Sequence, residues 1–354
     1  MEKELLTIVV PAYNAGEYIE QCLNSLVNQT IQNHKVIIVD DGSTDVKTAE
    51  ISKKYAKLYP QMISYMWQEN QMQGAARNHA LPFVDTEYVG FLDSDDWLPP
   101  TYIETISREI LYYQSEKIDL IFTLPTIYDN LSGMYVPWYD HDLLHQIFTT
   151  NNRITSASED NRLYYLEPNA CMRIYRMEFL KVCNFRVFPE GVKWEDLFPH
   201  FYLLYYAKKC LGVMSTGFYY RTNTAHQTTA QTGKSRLDVI KVFDEILTFL
   251  HENNCEIAIK KSVISRLNIF AKWSLDVASS DIRIQLVNEL NALYCKIPKN
   301  DIKQYISERK HYKKERIFIW LLRHKHFNKL LYNYLPADIF MGIVNRIRRL
   351  KWIR

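Results

Sequence analysis

"VGFLDSDDWLPP", Val89 to Pro100, carries an apolar run straight into Asp93, Asp95 and Asp96. The run reads as a buried strand, and the acids stand just past its carboxyl end. Carboxylates this close repel one another, and holding them out of water gains nothing unless a positive group joins them. Two readings stand: a solvated turn in which Asp96 caps the following helix, or a site for a metal ion and an anion at the end of a strand.

Outward from this stretch the chain alternates. "LLTIVV" is a strand stopped by Pro11, and "GEYIEQCLNSLVNQT" places Ile19, Leu23, Leu26 and Val27 on one helical face. "KVIIVDDGSTD" is a second strand ending in acids, "DVKTAEISKKYAKLY" a helix, and "ISYMWQ" a third strand. "GAARNHAL" opens a helix, "EYVGFLDSDD" is the fourth strand, "YIETISREILYYQ" a helix and "IDLIFTL" a fifth strand. Such alternation predicts an α/β fold with a mostly parallel central sheet and helices on both faces. Residues 126–166, rich in tyrosine and turn residues, read as an irregular or antiparallel insertion. "CMRIYRMEFL" reads as a strand entering a short helix, "WEDLFPHFYLLYYAKKC" as a helix despite Pro199, and "GFYYRTN" as a strand. From Ser235 onward the periodicity is helical throughout, which predicts domains at 1–234 and 235–354.

With 47% hydrophobic and 23% charged residues in a chain of 354, the composition is that of a globular protein and excludes wholesale disorder. Six cysteines stand without a CxxC pair, as expected of free thiols in a reducing compartment rather than a disulfide frame. "MEKELLTIVVPAYN" lacks the apolar core of a signal peptide, and no run approaches the roughly 18 to 20 apolar residues that span a bilayer. The expected location is cytoplasmic, with attachment to a membrane surface left open.

Charge is divided unevenly. Lys299–Arg354 holds 15 Lys or Arg against 4 Asp or Glu, a net of +11, while the preceding residues carry a net of −8. Within the basic segment, "DIFMGIVNRIRRLKWIR" puts Phe340, Ile343, Val344, Ile347 and Leu350 on one stripe bordered by Arg346, Arg348, Arg349 and Lys351. Residues 337–354 thus suit a helix lying on an anionic membrane, or one packed on its own domain with a solvated basic face. With no nucleic-acid module and an acidic N-terminal part, no nucleic acid is expected as a partner.

Three acidic groups carry the candidate chemistry: Asp40, Asp41 and Asp45; Asp93, Asp95 and Asp96; and Glu195 with Asp196. The first two come after strands, and open α/β sheets bind ligands outside the carboxyl ends of their strands. Asp93 and Asp95, separated by Ser94, can offer oxygens to a hard divalent ion, Mn²⁺ or Mg²⁺, that takes its other ligands from water and substrate phosphates. Neither GxxxxGK[ST] nor GxGxxG occurs, which argues against P-loop enzymes and dinucleotide oxidoreductases. Gly42 reads as a turn, with Ser43 or Asp45 capping the next helix.

"VVPAYNAGEYIEQCLNSLVNQT", "IIVDDGSTD", "GAARNHAL", "FLDSDDW" and "WEDLFPHF" occur in order at suitable intervals, and together they resemble the family 2 glycosyltransferases, inverting enzymes of the GT-A (Rossmann-like) fold. The resemblance covers about residues 5–220. It implies a nucleotide-diphosphate sugar donor, usually a UDP sugar, a divalent cation, and a glycan or lipid-linked glycan acceptor of the bacterial surface-glycan type. Carried over residue by residue, Pro11, Tyr13, Asn14 and Asp41 would line the base pocket, with Asp41 accepting from the uracil imide N–H. Asp40 would support that loop or the ribose, and Arg77 would approach the nucleotide or diphosphate. Asp93, with Ser94 beside it, would meet the ribose or a metal-bound water, and Asp95 would ligate the metal. Trp97 would wall the sugar site or pack in the core, with Trp194 and Glu195 on the acceptor side. Asp196 would be the general base, opposite the leaving diphosphate; its plain alternative is an ordinary helix cap. Arg221 and His226 in "YYRTNTAHQTT" would form a loop over the diphosphate, a stretch that departs from the family's spacing. Competing readings are a nucleotide-sugar-binding scaffold without turnover, or a sugar nucleotidyltransferase. The latter needs a glycine- and arginine-rich loop that "VVPAYNAGEY" does not offer.

Overall fold

All seven residues of β1 (Leu6–Ala12) are buried, as befits a strand covered on both faces. In this computed structural model, which describes residues 4–183, 187–224, 233–308 and 313–324, β1 pairs in parallel with β2 (His34–Asp40) on one side and β4 (Tyr88–Phe91) on the other. β3 (Ile63–Trp67) extends the sheet beyond β2. Helices α1 (Ile19–Val27), α2 (Val46–Leu58) and α3 (Met72–Ala80) lie between successive strands, and α4 (Tyr102–Tyr112) comes after β4. The full order is β3-β2-β1-β4-β9-β5-β10-β8, with β5 (Leu120–Thr123), β8 (Ile154–Thr155), β9 (Arg173–Arg176) and β10 (Cys210–Val213). β9 runs antiparallel between β4 and β5, and β8 is antiparallel to β10. Pro11 lacks a ladder donor, yet β4 pairs with β1 only as far as Val9, so a proline is tolerated there.

The tyrosine-rich insertion is ordered. β6 (Thr126–Asp129) and β7 (Tyr135–Pro137) form an antiparallel hairpin, and β11 (Tyr219–Thr222) joins β6 in parallel to complete a second, three-stranded sheet. α5 (His141–Thr150) comes next in the chain after the hairpin. α6 (Met177–Val182) extends from β9, and α7 (Leu197–Tyr206) starts directly after Glu195 and Asp196. α7 stops short of the predicted Cys210, which instead opens β10. Pro199 lies in the first turn of α7, where a backbone donor has no partner inside the helix.

The chain divides into two compact units, Met1–Gln227 and Thr228–Arg354, against the sequence boundary between residues 234 and 235. In the second, α8 (Asp238–Glu252), α9 (Ile257–Val277), α10 (Ser280–Lys296), α11 (Lys299–Glu308) and α12 (Lys313–Arg323) bury Phe243, Leu267, Leu290 and Leu322 among others. A polar cluster sits inside this helical core: the Tyr305 hydroxyl and Asn268 Nδ2 donate to Glu315 Oε1 at 2.6 and 3.0 Å, and the Tyr294 hydroxyl donates to Asn268 Oδ1. All six cysteines are free. No described helix is long and apolar enough to cross a membrane. The basic stripe at 337–354 lies outside the described residues.

Candidate active site

The acids after β2 and β4 flank the end of β1, because β1 is the strand from which the order turns both ways. That is the switch point at which open α/β sheets form their crevice. Side chains hold the crevice's walls in place. Asn14, in left-handed conformation (φ 49°), accepts from the backbone N–H groups of Thr44 and Asp45 at 2.8 and 3.1 Å, tying the β1 loop to the β2 loop. Gly42 has φ 70°, and a Cβ there would stand 2.7 Å from the Asn70 nitrogen, so the turn needs glycine twice over. Asp45, not Ser43, caps α2 by accepting from Thr48 N–H at 2.6 Å. Of the two residues flanking Ala12 at the end of β1, Pro11 is buried and Tyr13 is exposed.

Asp40 and Asp41 adjoin in sequence but differ in employment. Asp40 accepts from Ser43 N–H and the Tyr65 hydroxyl, both at 2.9 Å, and so braces the loop. Asp41 accepts from Gln68 Nε2 at 2.7 Å and Gln71 N–H at 2.9 Å; burial raises its carboxyl above the usual range, against the pull of those donors.

Arg77 is the hub of the site. Fully buried, its Nη1 donates to Glu195 Oε1 at 2.8 Å and Asp196 Oδ1 at 2.7 Å, and its Nη2 donates to Asp93 Oδ1 at 3.0 Å. Phe188 and Phe91 lie against the guanidinium at 5.3 and 5.8 Å. Burial works against its charge, but three carboxylates outweigh that and keep it a cation. One guanidinium thus gathers the acid after β4 and both acids at the start of α7. Gln73 Nε2 adds a donor to Asp93.

The acid loop is strained electrostatically. Asp95 is half-buried and pushed up to about 6, by burial first and then by Asp93. Asp96 is buried and held well above the usual carboxylate range by burial, then by Asp95 and Asp93. It does not cap α4, whose cap is Thr101. Its Oδ1 accepts from Arg221 N–H at 2.8 Å, and its Oδ2 has no hydrogen-bond partner among the described residues. Arg221 in turn donates to the Asp95 carbonyl at 2.8 Å, to Gln21 at 2.6 Å and to Asn130 at 3.0 Å, and lies over the rings of Trp97 and Tyr18. Its guanidinium is therefore engaged within the protein, bracing the acid loop. Trp97 is half-buried in this cage. Among the described residues no three His, Cys, Asp or Glu side chains group to hold a metal by themselves. His226 lies outside the described residues.

At the other wall, Trp194 has φ 69°, a conformation a bulky side chain adopts only at a cost, immediately before the acid pair. Burial and Asp196 push Glu195 up to about 7, and burial raises Asp196 while Arg77 opposes it. Asp196 stands at the cap position of α7 and makes no capping bond with its side chain. Sequence reasoning did not find Gln68, Gln71 or Gln73, nor the Asp96–Arg221 link. The third aspartate of "DSDD" was the one available signal, since a turn needs no third acid.

Residues 7–172, just under half of the chain, match Glycosyl transferase family 2. It is 40% identical over 111 residues to glycosyltransferase GlyA of Streptococcus pneumoniae, covering 31% of this chain and 16% of that protein. Over 108 residues it is 42% identical to the putative glycosyltransferase EpsH of Bacillus subtilis, 30% of this chain and 31% of that one. The chain therefore spans less than a third of either relative. The fold is similar to that of S. aureus TarS (residues 1–349), solved in complex with UDP-GlcNAc, with a TM-score of 0.66 and 21% identity over 84% of this chain and 82% of that one.

Proposed function

We propose that this chain is an inverting glycosyltransferase moving a sugar from a nucleoside-diphosphate donor, a UDP sugar, to a hydroxyl of a glycan or lipid-linked glycan acceptor. One observation carries the reading: Asp196 heads a helix without capping it, and instead shares a buried guanidinium with the donor-side acid Asp93. Asp41, fixed by Gln68 and Gln71, reads the uracil N–H, and Asp40 and Asn14 hold the loop that presents it. The TarS complex with UDP-GlcNAc supports the choice of nucleotide. Asp95 suits Mn²⁺ or Mg²⁺, because a hard cation relieves the repulsion that burial and Asp93 impose on it. When bound, such a cation offsets charge developing on the leaving diphosphate.

Asp196 takes the proton of the attacking hydroxyl. Arg77 keeps that carboxylate ionised against its burial and orients it, while Glu195 and Trp194 shape the acceptor side. Arg221 holds the acid loop in register with the small sheet. The test pairs a donor screen with NMR of the first-formed glycosidic bond. Asp196→Asn should lose at least about 10² in kcat with donor affinity unchanged. A product that retains the donor's anomeric configuration, or a variant with near-normal kcat, rejects the assignment.

The basic stripe at 337–354 is proposed to attach the protein to anionic membrane. Its removal should reduce cosedimentation with anionic vesicles, more at low salt than at high. Equal binding by the full and shortened chains returns the stripe to an ordinary packed helix.

A further inference from the structure

The sheet of β11, β6 and β7 has two unlike faces. On one, Ile127, Phe218 and Trp138 are buried core residues. On the other, four aromatic rings meet edge to face or tilted: Trp97 with Tyr128 and with Tyr219, each at 5.2 Å, then Tyr128 with Tyr135 at 5.1 Å and Tyr219 with Tyr135 at 5.4 Å. Arg221 shares this second face and lies over Trp97 and Tyr128 at 4.7 and 5.6 Å, so the face opens to solvent chiefly toward Tyr135. Trp97, Tyr128 and Tyr219 are half-buried, and Tyr135 is 56% exposed.

The row begins at the acid loop. Trp97 comes directly after Asp96 and is bridged to Tyr219, whose N–H donates to the Trp97 carbonyl at 2.8 Å. Asp96 Oδ1 accepts the Arg221 N–H of the same strand. An aromatic row that is part-exposed along its length, open at Tyr135 and continuous with the acids of the site is a surface for a ligand rather than a closed core.

We propose that Trp97, Tyr128, Tyr219 and Tyr135 form the platform on which sugar rings of the glycan acceptor stack. This rests on the glycosyl-transfer reading and names where its acceptor lies. A pyranose presents an apolar C–H face and a rim of hydroxyls, which suit aromatic faces carrying phenol groups. The hairpin at 126–137 holds Asp129 and neither Lys nor Arg, so it lacks the charge that draws an anionic lipid surface.

The test uses the full chain, with UDP and Mn²⁺, and chitotetraose, cellotetraose and maltotetraose as probes. Binding is monitored by intrinsic fluorescence and by saturation-transfer NMR on the sugar ring protons. At least one tetrasaccharide should bind. Tyr135→Ala should weaken it on the order of ten-fold, Tyr135→Phe should largely retain it, and Tyr112→Ala, an exposed ring on α4, should change nothing. UDP affinity should stay the same in all three variants. UDP binding without binding of any tetrasaccharide, or an unchanged affinity in Tyr135→Ala, overturns the inference alone. So does a Tyr135→Ala effect confined to phosphatidylglycerol vesicles or to sedimenting mass, which would make the face a lipid or self-association surface. No UDP binding by the unaltered protein overturns the functional reading itself.

Discussion

At the scale of single residues, Arg77 carries the most weight, because three carboxylates depend on one buried cation. Arg77→Met should cost about 3 to 5 kcal/mol in urea unfolding at pH 8, the usual penalty for stranding a buried charge. The loss should shrink near pH 5, since Glu195, at about 7, is protonated there and no longer needs a partner. Asp95 gives the opposite kind of test. Its folded value of about 6 lies above the ordinary carboxylate value near 4, so its contribution to stability is fully present below that value and lost as pH rises through 6. Asp95→Asn should therefore raise Tm at pH 8 and leave it nearly unchanged at pH 4; an equal rise at both would show that charge is not the cause. The individual acids were legible in the sequence because a carboxylate at the end of an apolar run is a local signal. Their common partner was not: Arg77 stands 16 residues from Asp93 and 119 from Asp196, and Asp96 meets Arg221 across 125. Only folding brings these together.

Among the elements, the approach of α3 to the loop before α7 decides where the acid pair sits. A Cβ on Gly74 would lie 2.2 Å from the Pro189 carbonyl oxygen and 3.2 Å from Glu195 Cβ. Gly74→Ala must push that loop outward, so kcat should fall at least ten-fold, because misplacing a catalytic group by about 1 Å can cost on the order of 10². A variant with normal kcat would show that the loop yields without moving Glu195 or Asp196. The parallel strands were readable from apolar runs between helices, since a strand buried on both faces has no other pattern. The antiparallel entry of β9 was not, and the hairpin of β6 and β7 was readable only as an irregular or antiparallel insertion at 126–166. Their strands are three or four residues long, too short for periodicity to show pairing direction, and β11, which closes the small sheet, comes some 80 residues later in the chain.

At the scale of the molecule, two units with separate cores divide the work: the first holds the proposed chemistry and the second is helical. The second unit has a weak point of its own. Asn268→Leu would take from the buried Tyr294 hydroxyl its acceptor, at about 1 to 3 kcal/mol, while Tyr305 and Glu315 keep each other. Its unfolding midpoint should drop while UDP affinity in the first unit stays the same. A loss of both would mean that the units do not unfold independently.

The mutual repulsion in the loop from Asp93 to Asp96 has a practical consequence for finding the natural donor. Whatever settles there and neutralises those charges binds the folded chain and not the unfolded one, and so reports itself as heat resistance. At a hundred-fold excess over Kd the gain is about 2.7 kcal/mol. In a calorimetric scan of nucleotide sugars with Mn²⁺, the melting of Met1–Gln227 should climb for the right donor while that of Thr228–Arg354 stands still. The stationary peak then serves as the reference against which each candidate is read, with no acceptor needed.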